Sequence, residues 1–172
     1  MKKISFSSRV IKWLAFAVAV VAFCMMFATQ LQIITTVGSG SFKITNTTDV
    51  PYQEALFNAS DVYKSSTLGL IGYILIGVGG LIVGLVGLIS KKKMNNIVSL
   101  LTALGVVSLI VGAIFLFIYP NDFYKINKNY IVSLGYLTSS VKAYPTTLVA
   151  AILGICAAIT GFISVLFQTK KK

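Results

Sequence analysis

Few side chains in this sequence are able to carry chemistry. The 172 residues contain no histidine, two cysteines (Cys24 and Cys156) and four acids (Asp49, Glu54, Asp61 and Asp122). Two cysteines without a histidine cannot complete a zinc site, and both lie in apolar runs, where thiols pack as small hydrophobic side chains. We predict no metal and no cofactor. Because no general base accompanies a nucleophile, we also predict that the protein is not an enzyme.

The elements that hold these residues are long apolar segments. Hydrophobic residues make up 56% of the chain and charged residues 11%, with a mean hydropathy of +0.88, which excludes an ordinary soluble domain. Four segments exceed the roughly 18 residues of a membrane-spanning helix: 13–34, 68–89, 97–119 and 147–167. We predict an all-α integral membrane protein with one four-helix domain over residues 1–172. Its outer loops are 35–67 and 120–146, and its inner turn is 90–96.

Positive charge predicts the orientation of these segments. Ten of the fifteen Lys and Arg residues, and no acids, fall in the three segments that share one side: Lys2, Lys3, Arg9, Lys12, Lys91, Lys92, Lys93, Lys170, Lys171 and Lys172. The positive-inside rule then places both termini in the cytoplasm and the protein in the plasma membrane. We interpret these residues as topology signals that contact anionic lipid head groups, with a cytoplasmic protein bound to the lysine tail as the alternative. This placement of the +11 net charge argues against nucleic-acid binding.

The two outer loops are predicted to form a small extracellular cap. In the first, β-prone runs at 33–37 and 42–45 flank the sequence GSGS, which predicts a short β-hairpin. In the second, Pro120 and Pro145 are expected to punctuate the flanking helices, and the apolar residues between them to lie on the membrane surface or against the first loop. Aromatic side chains in these loops either cap the bundle or bind a partner, and the candidates are Phe42, Tyr52, Phe57, Tyr63, Phe123, Tyr124, Tyr130 and Tyr136.

Small residues recur at helical spacing within the spans. The candidate helix-packing positions are Gly77, Gly80, Gly84 and Gly87 in the second span, Gly105 and Gly112 in the third, and Ala150, Gly154, Ala157 and Gly161 in the fourth. Helix association in lipid depends on close packing, and a repeat averaging 3.5 residues predicts a left-handed bundle. These stripes either serve the bundle alone or also contact another membrane protein or a second copy of the chain. Gly69, Gly72 and Gly79 lie off the stripe, which indicates that the second span is approached from more than one side.

The order of these elements resembles the claudin-type tetraspan plan. That plan has four spans, a longer first outer loop with hairpin character, a tight inner turn and a shorter second outer loop. The resemblance is one of topology, because residues 35–67 contain neither the Trp nor the paired Cys that mark those families. It implies a similar bundle and no shared function.

The spans themselves indicate a non-catalytic role. No ionisable side chain lies in the central part of any span, where proton relays and ion paths place them. We therefore predict a scaffold or accessory subunit that contacts another membrane protein through its outer loops and glycine-rich faces. One alternative is an oligomeric channel or small-solute transporter lined by Ser108, Thr160 and glycine backbones. Another is an immunity protein against a membrane-active toxin.

Overall fold

The computed structural model describes residues 6–38, 42–59, 61–88, 95–131 and 137–169. Helices in these ranges are α1 (Phe6–Cys24), α2 (Tyr52–Phe57), α3 (Thr67–Leu88), α4 (Asn95–Ile131) and α5 (Pro145–Thr169). The strands are β1 (Leu31–Val37), β2 (Ile44–Val50) and β3 (Leu137–Ala143). Within the described residues, four helical segments are long and apolar enough to cross a membrane, namely Ser8–Phe27, Thr67–Leu88, Asn96–Ile131 and Pro145–Leu166. The prediction of four such segments is confirmed.

The four long helices pack as a ring. Helix α1 contacts α3, α3 contacts α4, α4 contacts α5, and α5 returns to α1. Outward-facing positions such as Leu85, Leu104 and Ile159 are apolar, as expected for helices whose solvent is lipid. We call the end that carries the strands and α2 the sheet end. At the opposite end, called the terminal end, the Ser8 hydroxyl donates to the Ser164 carbonyl at 3.2 Å. Most of the predicted turn at 90–96 lies outside the described residues.

The first span ends earlier than the sequence predicts. Helix α1 stops at Cys24, a 3-10 turn follows at Met25–Phe27, and β1 begins at Leu31, so the last residues of the predicted segment 13–34 are strand. The Gln30 side chain gives the physical reason. Its amide donates to the carbonyls of Met25 and Ala28 at 3.0 and 2.8 Å, which stabilises the 3-10 turn that follows the helix and leads the chain into β1.

The third span continues past the proline that was expected to end it. Pro120 lies inside α4, which runs to Ile131, so the prediction that this proline ends the helix is wrong. A proline inside a helix costs about 3 kcal/mol. The extension buries Phe123 and Ile131, at 0% and 6% exposure. Because each such side chain stabilises the fold by roughly 1.5–3 kcal/mol, the continued helix outweighs the proline.

A three-stranded antiparallel sheet replaces the simple hairpin in the cap. The predicted hairpin is present as β1 and β2, which pair from Leu31↔Val50 to Val37↔Ile44. The second loop adds β3, which pairs with the other edge of β1 from Leu31↔Ala143 to Val37↔Leu137. The strand order is therefore β2-β1-β3, and the all-α prediction omitted this third strand. Leu31, Ile33 and Val50 are buried, so this face of the sheet belongs to the core.

Candidate functional site

The glycine stripe of α3 receives helix α1. A Cβ added to Gly77 would lie 2.9 Å from the Phe23 ring, and one added to Gly84 would lie 2.8 Å from the Phe16 ring. At Gly80 the added atom would collide with the Cβ of Ala19. Real Cβ atoms do not approach other atoms so closely. The absence of side chains on this stripe is therefore what lets α1 and α3 meet.

The glycines off that stripe receive helix α4. A Cβ on Gly79 would lie 2.8 Å from the Gly105 carbonyl oxygen, and one on Gly105 would lie 2.9 Å from the Gly79 oxygen. Gly112 repeats the arrangement against the Gly72 oxygen at 2.7 Å. Helix α3 is thus approached closely on two sides, and the α3–α4 contact joins backbone to backbone.

Helix α5 uses its small residues inside the bundle as well. Added Cβ atoms would lie 3.1 Å from Ile76 at Gly154 and 3.0 Å from Val106 at Gly161. Ala150 and Ala157 are completely buried. Gly87, the last of the α3 stripe, faces Lys12 of α1. All the packing positions predicted from sequence face neighbouring helices. None of them is left as an outward stripe for a partner.

A buried polar cluster joins three helices at the sheet end. The Gln30 carbonyl oxygen Oε1 accepts the Tyr73 hydroxyl at 2.7 Å and the Thr147 hydroxyl at 3.0 Å. The three side chains are each 0% exposed. Since Tyr73 lies on α3 and Thr147 on α5, Gln30 links these helices to the end of α1. The sequence showed Gln30 only as a polar residue near the end of a span and gave no signal of its partners.

Two buried tyrosines provide a matched pair for testing this cluster. Tyr73 is bonded to Gln30, whereas the buried hydroxyl of Tyr119 has no hydrogen-bond partner within the described ranges. We expect Tyr73→Phe to lower the free energy of unfolding by about 1–2 kcal/mol, because it leaves Gln30 with an unmade bond. Tyr119→Phe should leave stability unchanged or raise it. Denaturant titration in mixed micelles measures both, and equal losses would contradict the assigned hydrogen bonds.

A second polar cluster fastens the segment before α3 to the extension of α4. Asn127 accepts from the Lys64 N–H at 2.7 Å and donates to the Lys64 carbonyl at 2.9 Å. Nearby, the Ser66 hydroxyl donates to an Asp122 carboxylate oxygen at 2.6 Å. These bonds position the sheet end on α4 and explain the burial of Asn127. Sequence reasoning did not select any of these residues, because it treated this part of α4 as a loop.

The aromatic candidates divide into core and surface residues. Phe42, Phe57 and Tyr130 are exposed, while Tyr52, Tyr63 and Tyr124 are half-buried. Phe123 is completely buried between Tyr63 and Tyr119, so its prediction as a surface residue is corrected. Tyr136 lies outside the described residues. Burial, and then the charge of Glu54, raise the pKa of Tyr63, so its hydroxyl stays protonated at neutral pH.

Of the ten positive residues chosen for topology, the side chains of Arg9 and Lys12 are described. Arg9 is exposed at the terminal end, but Lys12 is only 2% exposed. The Cβ of Lys12 lies 3.4 Å from where a Cβ of Gly87 would stand, so its aliphatic stem packs on α3. The other eight, outside the described residues, are Lys2, Lys3, Lys91, Lys92, Lys93, Lys170, Lys171 and Lys172.

The hydroxyls of Ser108 and Thr160, two polar residues within the spans, donate to helix carbonyls. The Ser108 hydroxyl donates to the Leu75 carbonyl of α3 at 2.8 Å, and the Thr160 hydroxyl donates to its own helix at Cys156.

An apolar groove of about 380 Å³ lies between α1 and α3 and is lined by Val20, Phe23, Ile74, Gly77, Val78 and Leu81. Among the described residues, no cluster of His, Cys, Asp or Glu could hold a metal ion.

Strand β2 is the open edge of the sheet. Strand β3 lies against α4, where the Ser139 hydroxyl donates to the Ile131 carbonyl at 3.0 Å. In contrast, six of the seven residues of β2 are exposed. Its first residue, Ile44, is 74% exposed, and Phe42, two residues before the strand, is 88% exposed. An uncovered strand edge beside exposed apolar side chains is a surface to which another chain can add a strand.

The backbone of β2 presents hydrogen-bonding groups at this edge. The Asn46 carbonyl accepts the Thr35 hydroxyl of β1 at 3.3 Å, so it points into the sheet. Successive residues of a strand alternate in direction, so Thr45 and Thr47 point their backbone groups to the open side. The Thr47 N–H donates to the exposed side chain of Asn46 at 2.9 Å. A partner strand is able to replace that contact.

Comparison with known proteins adds no family to this geometry. No family model matches the chain, and no curated protein matches its sequence.

Proposed function

We propose that the protein is a non-catalytic membrane scaffold or accessory subunit that binds another membrane protein at its sheet end. The open edge of β2 is the observation that carries this proposal. It combines a strand edge that no other described strand covers with the exposed side chains of Phe42 and Ile44. Soluble parts of proteins rarely leave such an edge uncovered, because it promotes association with other strands.

The contacts of the glycines argue against a partner surface on these helix faces. Backbone of the neighbouring helix occupies the space beside four glycines, namely Gly72, Gly79, Gly105 and Gly112. Helix α1 occupies the space beside the α3 stripe. A partner helix would have to displace a helix of the bundle to use these faces. Strand β2 requires no such displacement, so the sheet end is the better surface.

The proposed orientation places both termini in the cytoplasm and the sheet end outside the plasma membrane. The asymmetry of lysine and arginine in the sequence supports it, since ten of the fifteen fall before the first span, between the second and third spans, or after the fourth. The spacing of the small residues supports left-handed packing of the helices. In this orientation β2 is available to partners outside the cell and to the outer parts of other membrane proteins.

The channel and immunity alternatives have less support. A channel lined by Ser108 and Thr160 would need hydroxyls that face a water path, and both are bonded to helix carbonyls. Among the residues that the structure describes, no specific contact favours an immunity role. The accessory-subunit role needs only the edge of β2, which is exposed.

Affinity purification from native membranes in mild detergent tests the proposal. Thr47→Pro removes an N–H that points to the open edge while leaving the ladder with β1 intact, as prolines on edge strands do. We expect the wild type to retain a specific membrane protein and Thr47→Pro to lose about tenfold of it. Thr47→Val keeps the N–H and should retain the partner. A wild-type monomer without any co-purifying chain, or equal retention by the two variants, would reject the proposal.

A further inference from the structure

The sheet stands along the helix axes. At its base, the Tyr144 N–H donates to the Gln30 carbonyl at 3.0 Å, beside the start of α5. At its far side, Ser139 reaches Ile131, the last residue of α4. Since α4 rises past the bundle while β3 returns beside it, the strands run roughly parallel to the helices. Strand β2, antiparallel to β1, therefore runs along the membrane normal if the helices span the membrane.

This direction restricts which copies of the chain can pair through β2. Two copies in one membrane share their orientation, so their β2 strands run in the same direction. A symmetric pair of identical strands is antiparallel, with residue i opposite residue j and j opposite i. Only copies in facing membranes bring their β2 strands together in that way.

The sequence around β2 is complementary to itself in an antiparallel register. With Asn46 opposite Asn46, Lys43 stands opposite Asp49, and the symmetry forms this pair twice. Both side chains are exposed. The same register places Ile44 opposite Thr48, and Phe42 opposite Val50, so a second strand covers the two exposed apolar residues. Opposite charges at facing positions stabilise strand pairs, and like charges destabilise them.

We propose that β2 pairs antiparallel with β2 of a second copy in a facing membrane, in the register centred on Asn46, so that the protein tethers two membranes. This inference rests on the proposed role of the sheet end and names its partner. The paired segment 42–50 spans about 30 Å at 3.3 Å per residue, which sets the distance between the membranes on that order.

Tethering of phosphatidylcholine vesicles that carry the full chain tests this inference. Light scattering should show that wild-type vesicles cluster, whereas Lys43→Asp and Asp49→Lys vesicles each cluster about tenfold more slowly because like charges then face each other. A mixture of the two variants restores both opposite-charge pairs between vesicles, so clustering should return. Single variants that cluster like wild type, or a mixture no better than its components, would overturn the inference.

Two controls separate strand pairing from simple charge attraction. Lys125→Asp and Asp61→Lys change the net charge equally at exposed sites outside β2. Vesicles that carry Lys125→Asp together with Thr47→Pro are mixed with vesicles that carry Asp61→Lys together with Thr47→Pro. The mixture should not cluster. If it does, charge attraction accounts for the result and the inference fails. Vesicles that carry Asn46→Cys in a background without Cys24 and Cys156, prepared as two differently tagged populations and mixed with a mild thiol oxidant, should form disulfides between the two tags; their absence would likewise reject the register.

The two proposals fail in distinguishable ways. If purification retains a different membrane protein through β2 but vesicles do not cluster, the accessory role stands and pairing between membranes is wrong. If neither experiment succeeds, the role of the sheet end is wrong.

Discussion

Replacing Gln30 with alanine should lower the free energy of unfolding by about 3–4 kcal/mol, near the upper end for single substitutions. The side chain donates to carbonyls of Met25, Met26 and Ala28 and accepts from Tyr73 and Thr147. Its removal takes away the buried bonds to the Tyr73 hydroxyl and the Met26 carbonyl, at about 1–3 kcal/mol each before the site relaxes. The Met25 carbonyl still accepts the Ala28 N–H, and the Thr147 hydroxyl still donates to the backbone carbonyl of residue 30. Equilibrium unfolding in mixed micelles measures the loss.

Gln32→Ala is the matched control for this change. Gln32 is the same residue type two positions further on, but its one described side-chain bond, to Asp49 at 3.2 Å, is exposed. We expect its replacement to change stability by less than about 0.5 kcal/mol. If the two alanine variants unfold alike, Gln30 does not join the helices as the structure shows.

Replacing Gly112 with alanine should also destabilise the protein, by about 2–3 kcal/mol. The added Cβ would lie 2.7 Å from the Gly72 carbonyl oxygen, and a backbone atom moves only if the whole helix moves. Alanine is favoured over glycine in helices by about 1 kcal/mol, so propensity alone predicts the opposite sign. Thermal unfolding in detergent decides which effect dominates.

Gly87→Ala supplies the comparison within the same bundle. Its Cβ would meet the Cβ of Lys12 at 3.4 Å, which is an ordinary contact. The propensity gain should then remain, and stability should be unchanged or higher by up to about 1 kcal/mol. A Gly112 variant as stable as the Gly87 variant would mean that α3 and α4 are further apart than described.

These contacts also bear on how the small-residue stripes are interpreted. A stripe such as Gly77, Gly80, Gly84 and Gly87 fits an internal contact and an external one equally well in sequence. The structure uses it internally, with α1 against it. The glycines that lay off the stripe, Gly72 and Gly79, form the closest backbone contacts, with α4. Spacing therefore predicted close approach correctly, but it did not identify the neighbour.

Sequence by itself determined that the chain has four segments long and apolar enough to span a membrane. Hydropathy is a local property of about 20 residues, so it located the second span almost to the residue, at 68–89 against Thr67–Leu88. The β-prone runs around GSGS likewise predicted the hairpin, because turn chemistry is local. The choice of Phe42 as an exposed aromatic residue also came from sequence.

Tertiary structure decided the ends of α1 and α4, the third strand and the open edge. Helix α1 gives way to a 3-10 turn that the Gln30 side chain holds by hydrogen bonds, and α4 continues through Pro120 because Phe123 and Ile131 are buried beyond it. Residues 137–143 form a strand because they pair with the edge of β1 that β2 does not use. Because β3 pairs with β1 and not with β2, the outer edge of β2 stays uncovered. Each of these outcomes depends on residues far apart in the chain, whose proximity no local pattern encodes.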